Sequence, residues 1–465
     1  MELFFLTLSL VSGGAGLLLL WQIGHPLLVQ RRYLYLVGSL LPPMQLIAYY
    51  FVLPIPIVLA SGLGYSDTYG IEFSQGHIAY VQILTLGLVA IYLIGFRMAF
   101  GPSKRENRWS RCQQRSRHKA LWIFFLCLAF IDAYFRANAI YSGTYFSWMR
   151  KFADEETLQS SSLFFILIGA LVPLLGALAT YFSRERRITL IYLAVLIVLV
   201  LLEGRRTNLV LLAFSATVVY LFDQRFAGNM VKRLRVVGIP ILVVPFLMSV
   251  ILDVRKEFRS DVSYAIENPV TFLFEATESS VLEQLGLSER NEASVELRGS
   301  GFSERSIIHL ITFSSIIARY FDGYDLLPVS NFFVDSKRAF PSVLVGEKSS
   351  DSPGNILANH YGFSATVTGH HDPGSTVYQA IFAIFGPIGA ITLALIAGLV
   401  FGRIFRFIAF RYGPHGWVMA VGFVGLLMIN GNNYSAILVN IRHLVMLLVL
   451  LEFLTIVARL RVRAR

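Results

Sequence analysis

Residues 188–222 read ITLIYLAVLIVLVLLEGRRTNLVLLAFSATVVYLF, two uncharged apolar runs, Ile188–Leu202 and Asn208–Phe222, on either side of Gly204-Arg205-Arg206. Each run has 15 residues. At about 1.5 Å rise per residue it reaches about 22 Å as a helix, short of the roughly 30 Å hydrocarbon layer of a bilayer. The stretch therefore predicts two short membrane helices whose connecting turn lies slightly below the headgroups. Arginine is planar, permanently charged and bidentate toward phosphate oxygens, so two guanidiniums held there suit a lipid-linked phosphate or pyrophosphate. The alternative is that both side chains simply reach up to the interface.

Outward from this hairpin the same pattern recurs. A mean hydropathy of +0.62, with 55% hydrophobic and 15% charged residues over 465 positions, excludes an ordinary soluble domain and gives an all-α polytopic membrane protein. About eleven spans are expected, near residues 3–21, 33–60, 78–100, 120–141, 162–182, 188–202, 208–222, 236–252, 377–402, 417–430 and 435–457. Lysine and arginine concentrate in alternate loops, around residues 31–32, 104–119, 184–187, 225–235, 403–411 and 459–465. By the positive-inside rule these loops are cytoplasmic. The N-terminus is then outside, the C-terminus inside, and the Arg205-Arg206 turn faces outward. Met1-Glu2 offers no basic leader, so the first span reads as a retained anchor.

Three stretches follow: a bundle of about eight spans over residues 1–252, one large outer loop over 253–376, and three spans over 377–465. The loop carries 10 Lys/Arg and 17 Asp/Glu, net −7, against +11 for the whole chain. The basic balance is thus a matter of topology and no argument for nucleic acid. Cys112 and Cys127 fall in an inner loop and a span, which excludes an outer disulfide framework.

Within the loop, Asn268-Pro269 predicts a helix start. Ser303 is expected to cap a second helix carrying Ile307, Ile308, Leu310, Ile311, Ile316, Ile317 and Tyr320 at helical spacing. Both are expected to lie on the membrane, on the rim of the bundle. Residues 322–376, rich in Gly, Pro, Ser and Asp, read as an ordered loop over a cavity or a lid, and they hold His360, His370 and His371. Gly346-Glu347-Lys348-Ser349 lacks the Gly-Lys adjacency of a phosphate loop. The outer segments hold no Asp-x-Asp pair to set a divalent metal against a pyrophosphate, and His370-His371-Asp372 is a poor metal set without distant partners. Asp132 and Arg136 stand one turn apart, the spacing of a private salt bridge. Arg442, with no acidic residue within a turn, is a better ligand candidate.

Glu203-Gly204-Arg205-Arg206-Thr207 at an outer turn is followed by a large late outer loop. That loop ends in Tyr361-Gly362, then Gly374-Ser375-Thr376, and Phe385-Gly386-Pro387-Ile388-Gly389 comes after it. In order and sidedness this resembles the bacterial O-antigen and oligosaccharide repeat-unit polymerases of the Wzy type, relatives of the O-antigen ligases. The resemblance spans the chain in topology and only these motifs in sequence. It implies a glycosyltransferase C-like fold in the bacterial inner membrane, with a periplasmic N-terminus and a cytoplasmic C-terminus. It further implies metal-independent transfer on undecaprenyl-pyrophosphate glycans, membrane lipids and a chain-length regulator protein as partners, and no cofactor. Such transfer needs cations for the departing pyrophosphate and a base for the attacking hydroxyl. Arg205, Arg206, Arg319 and Arg442 are the candidates for the first. His371, then His370 and His360, are those for the second; the alternative for each is a solvated loop histidine. Trp148, Tyr320 and Tyr324, with Tyr141 and Tyr145, could stack on sugars or form an interfacial belt. An O-antigen ligase, or a transporter or flippase of the same lipid-linked glycan, are the alternatives.

Overall fold

The computed structural model describes residues 2–29, 33–52, 54–55, 74–101, 111–141, 158–202, 206–223, 302–337, 376–412, 415–429 and 434–463, with single or paired positions at 271, 275, 278, 340, 356–357 and 360–361. Among these residues there is helix and no strand. The longer elements are α1 (Glu2–Val29), α2 (Tyr33–Ile47) running into a π-turn (Ala48–Val52), α3 (Gln75–Phe100), α4 (Arg111–Tyr141), α5 (Leu158–Ser183) and α6 (Ile188–Leu202). They continue with α7 (Arg206–Phe222), α8 (Phe302–Phe321), α9 (Val329–Lys337), α10 (Val377–Tyr412), α11 (Gly416–Ile429) and α12 (Tyr434–Arg463).

Five of these contain stretches long and apolar enough to cross a membrane: Leu6–Gly24, Gly76–Phe100, Arg117–Asn138, Val377–Tyr412 and Ile437–Val457. Shorter apolar helices cover Val37–Val52, Leu171–Ser183, Ile188–Val200 and Asn208–Phe222. The hairpin read first in the sequence is thus helical on both sides, and α7 begins at Arg206 itself. The expected span at 236–252 and the start at Asn268-Pro269 lie outside the described residues.

Contacts divide the chain into two compact units, one of residues 1–107, 296–420 and 430–442, the other of residues 108–295, 421–429 and 443–465. In the first, the most extensive packing is between α3 and α10. It is built on glycine. A Cβ on Gly95 would sit 2.6 Å from the Leu395 carbonyl, one on Gly402 would sit 2.7 Å from that of Phe96, and one on Gly398 would collide with that of Tyr92. Gly398 and Gly402 form a Gly-x-x-x-Gly pair, which lets two apolar helices approach backbone to backbone where lipid removes the hydrophobic drive to associate.

The surroundings of α8 correct the sequence reading. Every residue from His309 to Ala318 is buried, Thr312, Ser314 and Ser315 included. The helix packs against α3, the π-turn and α10, within the principal core, and not on a membrane rim. Its apolar stripe is as expected, but short hydroxyl side chains on the other faces leave room for neighbours all round. The helix already includes Phe302, so Ser303 lies within its first turn.

In the second unit α5 is buried throughout residues 171–183 and meets α7 at Gly176, where a Cβ would come within 2.5 Å of Leu212 and 2.8 Å of the Ser215 hydroxyl. Asp132 and Arg136 on α4, each 1% exposed, form the ion pair expected from their spacing. Arg136 Nε donates to both carboxylate oxygens, at 3.0 and 3.1 Å, and the Tyr192 hydroxyl of α6 approaches the same carboxylate at 3.5 Å. At one end His118 meets Glu185 at 2.8 Å, and the Arg186 guanidinium lies 4.1 Å over the Trp122 ring.

Pro42 and Pro43 sit within α2, and Pro42 has no N–H for the carbonyl four residues earlier. That carbonyl, Gly38 O, accepts instead from the buried Tyr92 hydroxyl of α3 at 2.9 Å. Leaving a buried carbonyl without a donor costs about 1–3 kcal/mol. Tyr92→Phe is therefore expected to lower the thermal midpoint of the purified protein in detergent, while Tyr134→Phe, at a position 60% exposed, leaves it unchanged.

Candidate functional site

The site is assembled in the first unit around the first three turns of α10. Thr376 and Gln379 form a reciprocal N-terminal cap: the Thr376 N–H donates to Gln379 Oε1 at 2.7 Å, and the Gln379 N–H to Thr376 Oγ1 at 3.3 Å. Both side chains are buried, and each is tied further. The Tyr50 hydroxyl of the π-turn bonds Thr376 Oγ1 at 2.8 Å, and Gln379 Nε2 donates to the His309 carbonyl of α8. On the same π-turn the Tyr50 carbonyl is reached by Gln82 Nε2 at 3.4 Å, and Gln82 Nε2 also donates to Ser9 Oγ at 2.7 Å. This polar chain fixes where α10 begins relative to α1, α3 and α8.

Ten residues on, α10 breaks. Gly386 has φ 67° and ψ −164°, a region open essentially to glycine alone, and Pro387 restarts the helix at the position where its missing N–H costs least. The burial pattern changes at the same point. Residues 376–384 are all enclosed by protein, whereas from Phe385 onward exposed apolar residues recur along the helix. Pro387 cannot donate to Ala383 O. That carbonyl accepts the Leu327 N–H at 2.8 Å and lies 3.4 Å from the Tyr361 hydroxyl. Two chain segments are thereby drawn to the break.

The first of these segments is the end of α8. Gly323, at φ 82°, closes the helix with the paired bonds of a Schellman turn, Tyr324 N–H to Arg319 O at 3.0 Å and Gly323 N–H to Tyr320 O at 3.3 Å. The reversal lays Tyr324 back over Arg319. The guanidinium carbon stands 4.7 Å from the ring centre, and Nη1 donates to the phenol oxygen. Tyr320 covers the break, with its ring and hydroxyl 3.7–3.9 Å from where a Gly386 side chain would begin. It packs edge to face on Phe382. Phe321, 56% exposed, is stacked by His77 and edged by Tyr80, both from the start of α3.

The second segment brings His360 and Tyr361. His360 Nε2 lies 2.8 Å from the Asp325 carbonyl. A carbonyl only accepts, so Nε2 carries a proton, and in the neutral ring the lone pair is on Nδ1. Tyr361 is buried, and that burial pushes its phenol up to about 12, which keeps it a donor at all ordinary pH.

Of the residues singled out in the sequence, the structure brings together Arg319, Tyr320, Tyr324 and His360. Arg206 opens α7, in the other unit, and Arg442 is half-buried on α12. Arg205, His370, His371 and Trp148 lie outside the described residues. Among the described residues no group of three or more His, Cys, Asp or Glu is placed to hold a metal ion. His77, Tyr80 and Phe321 were not anticipated, and Tyr361 was read only as part of the Tyr361-Gly362 motif. Two signals pointed to their surroundings: the Thr-x-x-Gln cap at Thr376 and Gln379, and the Gly-Pro step that ends one helix and starts another.

Helices long and apolar enough to cross a membrane, a buried cap and a polar, aromatic break in one of them give the class as an α-helical membrane protein with a candidate site at an interrupted helix. Against protein-family profiles, curated proteins and solved structures the chain has no match.

The break yields a test with an inverted sign. Gly→Ala inside a helix is ordinarily stabilising by about 1 kcal/mol, and Gly87, whose added Cβ would meet nothing within 4 Å, is expected to follow that rule. Gly386→Ala is expected to destabilise by about 1–3 kcal/mol, the cost of an alanine in this backbone region. Thermal unfolding of the two variants side by side reads both signs.

Proposed function

We propose that the protein polymerises undecaprenyl-pyrophosphate-linked oligosaccharide repeat units on the outer face of the bacterial inner membrane. The observation that carries the reading is the convergence, at one helix break, of an arginine held by an aromatic ring, exposed aromatic faces, and a histidine whose tautomer leaves a basic nitrogen. Supporting it are the resemblance of the Arg205-Arg206 turn and of the Gly386-Pro387 segment to repeat-unit polymerases, and the alternation of basic loops, which assigns the break to the periplasmic side.

In the reaction a hydroxyl of the incoming repeat unit attacks the anomeric carbon of the growing glycan. The new C–O bond forms as the bond to the pyrophosphate breaks, and undecaprenyl pyrophosphate departs with the electron pair. His360 Nδ1 takes the hydroxyl proton. Arg319 offers its guanidinium to the charge building on the leaving group, and the resemblance adds Arg205, Arg206 and Arg442 as candidate cations and His370 and His371 as candidate bases. Tyr324, Phe321 and Trp148 offer ring faces to sugars. On this reading the protein carries about eleven spans with a periplasmic N-terminus, needs no metal or cofactor, and works beside a chain-length regulator.

His360→Gln separates the two roles of that residue, because the amide nitrogen still donates to the Asp325 carbonyl while the basic nitrogen is gone. Turnover of purified protein on lipid-linked repeat units is expected to fall by about 10²–10⁴-fold, with donor binding retained. Unchanged turnover in this variant, and in His370→Ala and His371→Ala, removes histidine as the base.

Arg205→Lys and Arg206→Lys keep the charge and lose the planar fork. In a deletion strain complemented with either, surface polysaccharide is expected to collapse from a ladder to single attached repeats. Complete loss of attached glycan in the uncomplemented deletion would identify a ligase instead.

A further inference from the structure

The nine-residue helix α9 has a contact face and an apolar face side by side. Phe332 packs on Phe385 of α10, ring centres 5.7 Å apart, and joins the principal core. At about 100° per residue, the helix surface passes from Phe332 through Val329 to Phe333 and then to Lys337 and Ser330. Val329 and Phe333 are 47% and 61% exposed, and Phe340, just beyond the helix, is 50% exposed. Lys337 and Ser330 are exposed as well. An isolated, well-packed surface helix would turn its phenylalanine inward, so this face calls for a cover.

The cover is given by continuity. Through the Phe332–Phe385 contact the face runs into α10, where Phe385 and Ile388 are 38% and 77% exposed. From there exposed apolar side chains continue down a helix that is long enough and apolar enough to span a bilayer, with a hydropathy of 2.3. Such a stripe on a spanning helix faces acyl chains. The Gly386-Pro387 break marks its upper end, because the turns before it are enclosed by protein and the turns after it are not.

We propose that α9 is an interfacial helix whose partner is the phospholipid bilayer, with Val329 and Phe333 set among the first acyl carbons beside Ile388 and with Lys337 and Ser330 at headgroup level. The helix thereby holds the turn carrying Arg319 and Tyr324 at the membrane surface. The inference rests on the membrane reading and not on the enzymatic one, so either can fail without the other.

The test is nitroxide accessibility in phosphatidylcholine–phosphatidylglycerol nanodiscs, using single cysteines Phe333→Cys, Ser330→Cys and Ile388→Cys in a Cys112→Ser, Cys127→Ala background. All three positions are exposed, and monodispersity on gel filtration selects folded samples. Collision with oxygen is expected to exceed collision with a water-soluble nickel chelate at 333, with a ratio within about twofold of that at 388. Position 330 is expected to give a clearly lower ratio. A chelate rate above the oxygen rate at 333 would place the face in water and overturn the proposal. Low rates with both reagents would place it under protein, and a ratio at 330 above that at 333 would reverse the helix; each of these overturns it too.

Discussion

A carbonyl buried in apolar surroundings must be given a donor, and at Pro42 and Pro387, where proline removes the helical one, this protein brings another from elsewhere in the chain. Each buried backbone group left unsatisfied costs about 1–3 kcal/mol. At Pro42 the replacement is a hydroxyl, Tyr92, from a neighbouring helix. At Pro387 it is a backbone N–H, Leu327, with the Tyr361 phenol nearby. The second case shapes the site. Leu327 follows the Schellman turn that lays Tyr324 on Arg319, and Tyr361 follows His360. One missing N–H in α10 thus accounts for the assembly of residues that stand far apart in sequence.

Glycine acts on the same helix in two different ways. At Gly386 it supplies a backbone conformation that other residues reach only at a cost. At Gly398 and Gly402 it supplies absence of bulk, so that α3 and α10 meet backbone to backbone. The close seam holds the spanning part of α10 while the break releases its first turns into the protein. The Thr376–Gln379 cap, the π-turn tyrosine and the α8 carbonyl then fix those turns in place. Polar groups here act as positional pins in an otherwise apolar unit.

The apolar helices were legible because hydrophobic run length follows from bilayer thickness; about eleven spans were expected, and five helices among the described residues are long and apolar enough to cross a membrane. Residues 188–202 and 206–222 fold as the apolar runs indicate, and Asp132 with Arg136 pairs as its spacing indicates. The burial of α8 was not legible: an amphipathic stripe shows which face is most apolar, and it does not show that Thr312, Ser314 and Ser315 are enclosed too. Arg319 and Tyr324 were picked out singly, yet their contact depends on Gly323 reversing the chain. His360 became the best-defined histidine through a carbonyl 35 residues away in sequence, Asp325 O, a relation that spacing does not encode.

Asp132 and Arg136 bear on how the chain enters the membrane. Their bond closes within one helical turn, so it exists as soon as α4 is helical and needs no other span to be present. A nascent segment with a lone arginine would stall on the hydration of that charge. One that carries its own counter-ion offsets part of that cost within the span itself, and the Tyr192 hydroxyl of α6 adds a second contact to the same carboxylate.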